Sequence, residues 1–305
     1  AKTNLSNDNL KWETTASYNL GIDAGFLHNR LSVTADTYYK KTSDLLLEVP
    51  VGSFGGVNTQ LQNVGNVVNK GIELTVNAEL LDRKNLNWSV TANIAHNKNE
   101  ITDMGNNNNL ILGDRNEFIL AKGQSLGTFY GLVYEGIDSK GNVKYKDADG
   151  NGTINGDDRQ MLGSVQPDFT YGISSSLQYY RLDASIVFSG SQGNKMYNGL
   201  RQVLEHANDA YNVLSTYYVA NNTTSYVDSR YVENASYLKL KNITLGYRFR
   251  IRQIAYIDNI RLFVTAQNLI TLTRYKGYDP EVASGSDYGA YPSSRSFTLG
   301  VDLKF

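Results

Sequence analysis

Residues 296–305 read SFTLGVDLKF. Phe297, Leu299, Val301, Leu303 and Phe305 alternate with Thr298, Gly300, Asp302 and Lys304 without an exception. A period of two marks a strand that is apolar on one face and polar on the other. Working back from this stretch, the same alternation recurs. Apolar residues share a face at Phe169, Tyr171, Ile173, Leu177 and Tyr179, and again at Leu182, Ala184, Ile186 and Phe188. Further sets are Ile72 to Leu80, Trp88 to Ile94, Leu31 to Tyr39, Ile243 to Phe249 and Ile260 to Ala266, with an opening strand from Trp12 to Ile22. The spacing predicts roughly nine strands of about 10–14 residues, longer than the usual ~5–6.

The opposite faces are wet: Glu73, Thr75, Asn77, Glu79; Asn87, Ser89, Thr91, Asn93; Arg181, Asp183, Ser185; Thr244, Arg248, Arg250. Strands of this length, apolar on one side only, suit a tilted crossing of a bilayer. Connections alternate between short and long. The short ones are GFLHN (25–29), LLDRKN (80–85), QYYR (178–181) and RIRQIAYIDN (250–259); the long ones span 43–68, 101–167, 191–235 and 271–293. All short turns fall at one end and all long loops at the other, as in an outer-membrane barrel. The predicted fold class is therefore all-β, a transmembrane antiparallel β-barrel with long extracellular loops. A secreted calcium-binding β-sandwich that recognises glycans is the alternative.

Composition agrees. There are 22 tyrosines, residues of strands and membrane interfaces, and only 4 prolines. No apolar run reaches the ~20 residues of a membrane-spanning helix. The net charge of −1 carries no electrostatic footprint for nucleic acid. Cysteine is absent, and the histidines His28, His96 and His206 lie far apart, which disfavours zinc chemistry. Nine strands are an odd number for a single-chain bacterial barrel, so residues 1–305 are expected to be the closing part of a larger barrel.

One stretch carries metal-site spacing. KDADGNGTINGDDR (146–159) places Asp147, Asp149, Asn151, Thr153, Asn155 and Asp158 at positions 1, 3, 5, 7, 9 and 12 of a calcium loop of EF-hand type. Side-chain oxygens of Asp147, Asp149, Asn151 and Asp158 would ligate Ca2+, with Thr153 giving its carbonyl and Asn155 acting through water. Gly152 allows the sharp turn, and Ile154 is expected to pin the loop to apolar neighbours. Aspartate at position 12 has a shorter arm than glutamate, and the flanks lack helices. The alternative is an acidic, glycine-rich hairpin that binds nothing.

Other candidates are weaker. Asp279 and Glu281 in GYDPEV read as turn chemistry rather than a catalytic carboxylate pair. His96 reads as an interface residue on the apolar face. Leu200, Val203, Leu204, Ala207, Tyr211 and Leu214 have helical spacing within 196–218. Exposed loop aromatics such as Phe54, Phe129, Tyr130, Tyr134, Tyr288 and Tyr291 could stack on sugar rings, but with 22 tyrosines most are expected to be girdle or packing residues, and no ligand site is nominated among them. No residue is nominated as catalytic.

The stretch NVGNVVNKGIELTVNAEL (63–80) resembles the N-x-G-x-x-x-N-K-G-[IV]-E signature of SusC/RagA-type TonB-dependent outer-membrane transporters. GQSLGTFYGLVYEGI (123–137), GSVQPDFTYGISSSLQY (163–179), NASYLKLKNITLGYRF (234–249), TAQNLITLTRYKGYDPEV (265–282) and the terminal Phe305 follow in the family's order. The resemblance implies about the last nine strands of a 22-stranded barrel, with plug domain and earlier strands absent from residues 1–305. It implies nutrient import across the outer membrane of a Gram-negative, Bacteroidetes-like bacterium, and no enzyme activity. Implied partners are a SusD-like surface lipoprotein, the TonB complex acting through the plug, an oligosaccharide or peptide substrate, and the lipid bilayer.

Overall fold

The structure, a computed structural model, describes residues 4–54, 57–105, 109–205, 212–215, 226–250 and 258–304. Phe305, His206, Ala207 and Tyr211 lie outside the described residues, as does the side chain of Phe54.

Nine long strands form one sheet in chain order. They are β1 (Thr14–Phe26), β2 (Leu31–Ser43), β3 (Asn66–Arg83), β4 (Leu86–Asp103), β5 (Phe169–Tyr179), β6 (Leu182–Gln192), β7 (Tyr237–Phe249), β8 (Asn259–Thr273) and β9 (Ser296–Lys304). Every neighbouring pair is antiparallel. This is an up-and-down meander, and its apolar face, with Leu74, Ile173, Leu245, Val264 and Leu299 exposed, is not covered by a second sheet among the described residues. The sandwich alternative is thereby lost. Trp12 lies just ahead of β1 rather than inside it.

Cross-strand register joins the apolar positions into one continuous face. Leu262 pairs with Tyr247 and Val301, and Val264 with Leu245 and Leu299. These side chains are exposed, Leu299 at 77% and Leu245 at 54%. The polar face bonds to itself. Thr34 donates to Asp23 at 2.7 Å and Thr91 to Asn77 at 2.7 Å. Arg261 reaches Asp183 at 2.6 Å and Asp302 at 2.8 Å.

Two bulges re-aim the alternation. At Leu80 the register slips, so that Leu81 rather than Leu80 faces Trp88. At Lys241 a residue is inserted into β7, matched in β8 around Asn268, which adopts a positive φ of 53°. An unbroken alternation from Ile243 would have put Lys241 and Lys239 on the apolar face. The bulge instead brings Leu240 opposite Phe188 and Ile270, and both lysines reach Glu281.

The short turns at residues 27–30, 84–85 and 180–181 lie at one end of the sheet; of the fourth expected short turn, residues 251–257 lie outside the described residues. The long connections gather at the other end and carry short strands of their own. One three-stranded sheet joins Asn4–Leu5, Val57–Asn63 and Leu46–Phe54; another, four-stranded, joins Gln160–Ser164, Thr128–Gly131, Phe118–Ala121 and Asn109–Leu112.

Candidate functional site: a carboxylate loop in a cap of packed loops

The long connections form a cap with hydrophobic cores. Phe129, Tyr197, Val227, Tyr231 and Val232 make one, and Val49, Val64, Val67, Ile101, Met104, Leu110 and Leu120 another. Buried polar groups tie distant segments together. Glu117 accepts from Ser286 at 2.9 Å and Tyr288 at 3.2 Å, joining the 101–167 connection to the 271–293 connection. Arg230 pairs with buried Asp228 at 2.6 Å and lies over the rings of Tyr134 and Tyr231. Tyr145 also donates to Asp228, at 3.0 Å, and burial pushes its phenol pKa up.

Asp147, Asp149 and Asp158 converge in this cap, each offering an oxygen within 4.8 Å of the others. The strand Val143–Tyr145 precedes them and the 3-10 turn Gly156–Asp158 follows, so no helix pair flanks the loop. Backbone amides hold the carboxylates. Asp147 accepts from Gly150 at 2.7 Å and Gly152 at 2.8 Å, and Asp158 accepts from Asn155 at 2.8 Å and Ala148 at 2.7 Å. Those amides, Asn155 first, hold the Asp158 carboxyl below its ordinary pKa. Gly150 and Gly152 take positive φ of 74° and 78°, which a side chain would strain.

The remaining predicted ligands divide. Asn151 is beside the cluster, donating to Asp149 at 2.7 Å. Asn155 instead caps the 3-10 turn, its side-chain oxygen accepting from Asp157 at 2.6 Å. Thr153 donates its amide to Asn151 at 2.7 Å. Ile154 is exposed and pins nothing, because the neighbour that anchors the loop is Arg159. Arg159 is buried, lies over the rings of Tyr130 and Tyr226, and donates to the Tyr130 carbonyl at 2.7 Å. Desolvation lowers its pKa, with no carboxylate partner among the described residues to oppose it.

Several sequence expectations are corrected. Phe129 is wholly buried, a core residue and no sugar platform, whereas Tyr291 and Tyr288 are exposed. The segment expected to be helical begins as the strand Lys195–Asn198, and the helix α1 covers only Gly199–Leu204 among the described residues. His96 does lie on the apolar face, paired with Ile72, and its ring meets the Asp168 carbonyl. Asp279 and Glu281 behave as turn and anchor residues. Asp279 accepts from Ser293 at 2.7 Å, and Glu281 binds Lys239 and Lys241, each at 2.5 Å. Sequence reasoning missed that anchor; its signal was the two lysines at apolar parity in β7.

The family described as "TonB dependent receptor-like, beta-barrel" matches residues 1–269. The TonB-dependent receptor SusC of Bacteroides thetaiotaomicron is 34% identical over 98% of this chain and 32% of its own length. TonB-dependent receptor P3 of Formosa agariphila is 33% identical over 99% of the chain and 35% of its own. Among solved structures, the RagAB peptide transporter superposes with a TM-score of 0.87 at 29% identity, over 99% of this chain and 36% of that one. The chain thus spans about a third of the length of these relatives.

Proposed function

We propose an outer-membrane transport role from the premise that this chain belongs to the TonB dependent receptor-like β-barrel family. In this reading the nine strands are wall, the cap is the extracellular mouth, and the whole receptor imports a nutrient. One solved relative is titled a peptide transporter, and the resemblance noted from the sequence adds oligosaccharide, so peptide and oligosaccharide are the two substrate classes of this proposal. Energy would come from the TonB complex, and a SusD-like lipoprotein would cover the mouth. The bilayer of the outer membrane is the medium of the apolar face. No catalytic role is assigned.

The observation that supports this reading is the two-faced wall: one face exposes Leu245, Val264, Leu299 and Val301, while the other carries Asp183, Arg261 and Asp302 in ion pairs. Hydrocarbon suits the first face and a wet lumen or plug the second. The test is fractionation of cells expressing the receptor that carries this chain. It is expected in the outer-membrane pellet, extracted only by detergent, and growth on a peptide or oligosaccharide mixture should require both the receptor and TonB. Recovery in the soluble fraction sinks the reading.

As part of the same proposal, the carboxylate loop takes a structural Ca2+. The residues fit the ion: three carboxylates converge, and Asn151 and the Thr153 carbonyl lie alongside in sequence. Asn155, turned to its cap, is the weakest member of the predicted set. An ion here would stiffen the cap rather than switch it.

A further inference from the structure

The apolar face ends abruptly at the cap end of the sheet, and the boundary has a shape. On β7 the apolar run from Leu238 to Phe249 rises about 28 Å, taking ~3.3 Å per residue and a ~40° tilt. An outer-membrane barrel carries an apolar band of about 25 Å. Leu238 and its partner Leu272 therefore stand at the upper margin of the band. At that margin lies an open concavity of ≈ 440 Å³. Leu238 and Leu272 line it together with Tyr171, Gln192, Tyr237 and Arg274. Arg274 follows β8 directly, is exposed, and its guanidinium makes no ion pair or hydrogen bond among the described residues. The ring of Tyr171 lies across Gly190, where an added Cβ would come within 2.3 Å of it, so the floor of the concavity depends on that glycine.

A second concavity, of ≈ 450 Å³, opens on the same face and is nearly all apolar. Ile72, Leu74, Ile94 and Phe169 line it together with His96 and Asp168. The contacting rings of Phe169 and Tyr171, with centroids 6.0 Å apart, divide it from the polar one. A polar, cationic hollow at the upper margin of the band, beside an apolar groove on the same face, matches one class of molecule, an amphiphile with an anionic head.

We propose that Arg274 and the hollow around it bind the phosphorylated headgroup of an outer-leaflet lipid, with an acyl chain in the groove lined by Ile72, Leu74, Ile94 and Phe169. The inference rests on the outer-membrane reading above. An arginine fork suits phosphate, tyrosines suit the interfacial level, and basic pockets beside membrane spans hold anionic headgroups. Phe169 and Tyr171 would sit between head and chain.

Native mass spectrometry of the receptor that carries this chain, purified in detergent, tests this with lipid A as the probe. Phosphorylated lipid A should be retained about fivefold more than its dephosphorylated form, the effect of one arginine near a membrane surface. Arg274→Gln should abolish the preference, and Arg274→Lys should keep part of it. Equal retention of both forms by the unaltered receptor overturns the proposal, as does a preference that survives Arg274→Gln. Displacement by millimolar inorganic phosphate would mark a free-anion site and overturn the lipid assignment. A receptor found in the outer membrane without the preference defeats this inference alone; a receptor absent from that membrane defeats the transport reading.

Discussion

The cap and the wall are made from one chain but are stabilised in different ways. In the cap, Phe129, Tyr197, Val227 and Tyr231 are fully buried, and charged groups such as Asp228 and Glu117 are enclosed with partners. In the wall, the apolar residues Leu245, Val264, Leu299 and Val301 are exposed, and Leu240 and Ala266 are among the few buried ones. A single sheet has two faces and no second layer, so it cannot make a core from itself. The wall takes its apolar stabilisation from whatever surrounds it, whereas the cap brings its own. A cap with its own cores can hold its loop positions whatever medium the apolar face of the wall meets.

The largest effect should come from charging the apolar face where two strands meet. Leu245 and Val264 are direct cross-strand partners near the middle of the band. Each arginine at that depth costs roughly 2–4 kcal/mol, and like charges placed opposite one another add to the sum. Leu245→Arg with Val264→Arg should therefore prevent assembly into the outer membrane, read by heat-modifiability on gels. Normal assembly of that double variant would break the contrast, because the face would then not meet hydrocarbon. Next comes Phe129→Ala, which empties the centre of a cap core and should cost about 3–5 kcal/mol. Its damage should stay in the cap: faster hydrogen exchange across 118–164 and 226–234, with β5 to β9 still protected. Equal loosening of the wall would show that the two regions form one cooperative unit.

The wall was legible in the sequence and the cap largely was not, for a physical reason. Each long strand repeats apolar residues at a period of two over many residues, as Phe297 to Leu303 do, and the pattern states its own faces. The cap uses strands as short as Ser286–Asp287 and Val143–Tyr145, too short for any period to register. Its core residues Phe129, Tyr197 and Tyr231 come from two different loops and, within one of them, from positions 34 residues apart, and nothing local marks them as buried. The bulge at Lys241 was legible after the fact, since Lys239 and Lys241 occupy apolar parity in an otherwise regular strand. The slip at Leu80 left no such mark, as Leu80 and Leu81 are both leucines. For the candidate site, spacing found the three carboxylates that converge, but not that Asn155 would serve as a cap or that Arg159 would anchor the loop.

Where cap meets wall, Glu281 offers a test of intermediate size. Burial favours its neutral form, but the bonds from Lys239, Lys241 and Tyr237 win and hold its carboxyl below the ordinary glutamate range. A depressed folded value means stability that is full above the unfolded pKa of about 4.3 and lost as pH falls through the lower folded value. Protection against hydrogen exchange over 277–293, with the intrinsic slowing of exchange in acid divided out, should thus be high at neutral pH and fall below about pH 4. Glu281→Gln should cost about 1–3 kcal/mol, read in the same segment at neutral pH, and flatten the part of the acid step that Glu281 supplies. Buried Asp279, also held low through its bonds with Ser293 and Glu281, would supply what remains. A step unchanged by Glu281→Gln would show that the anchor does not fasten loop to wall.

The smallest effect expected belongs to calcium, and the geometry explains why it should be small. Asp147 and Asp158 already accept backbone amides, which support the convergence of the three carboxylates. The loop is thus largely shaped beforehand, and an ion relieves repulsion among the carboxylates more than it creates structure. Extracellular sites of this type bind with Kd of about 10⁻⁴–10⁻³ M, so millimolar calcium adds roughly 1 kcal/mol. Titration calorimetry should show one such site in the unaltered receptor, and Asp147→Asn with Asp158→Asn should remove it. Exchange across 146–159 should slow when calcium replaces chelator, while β1 to β9 stay unchanged. If neither heat nor protection depends on calcium, the loop is an acidic hairpin held by its own amides, and the cap is self-sufficient here too.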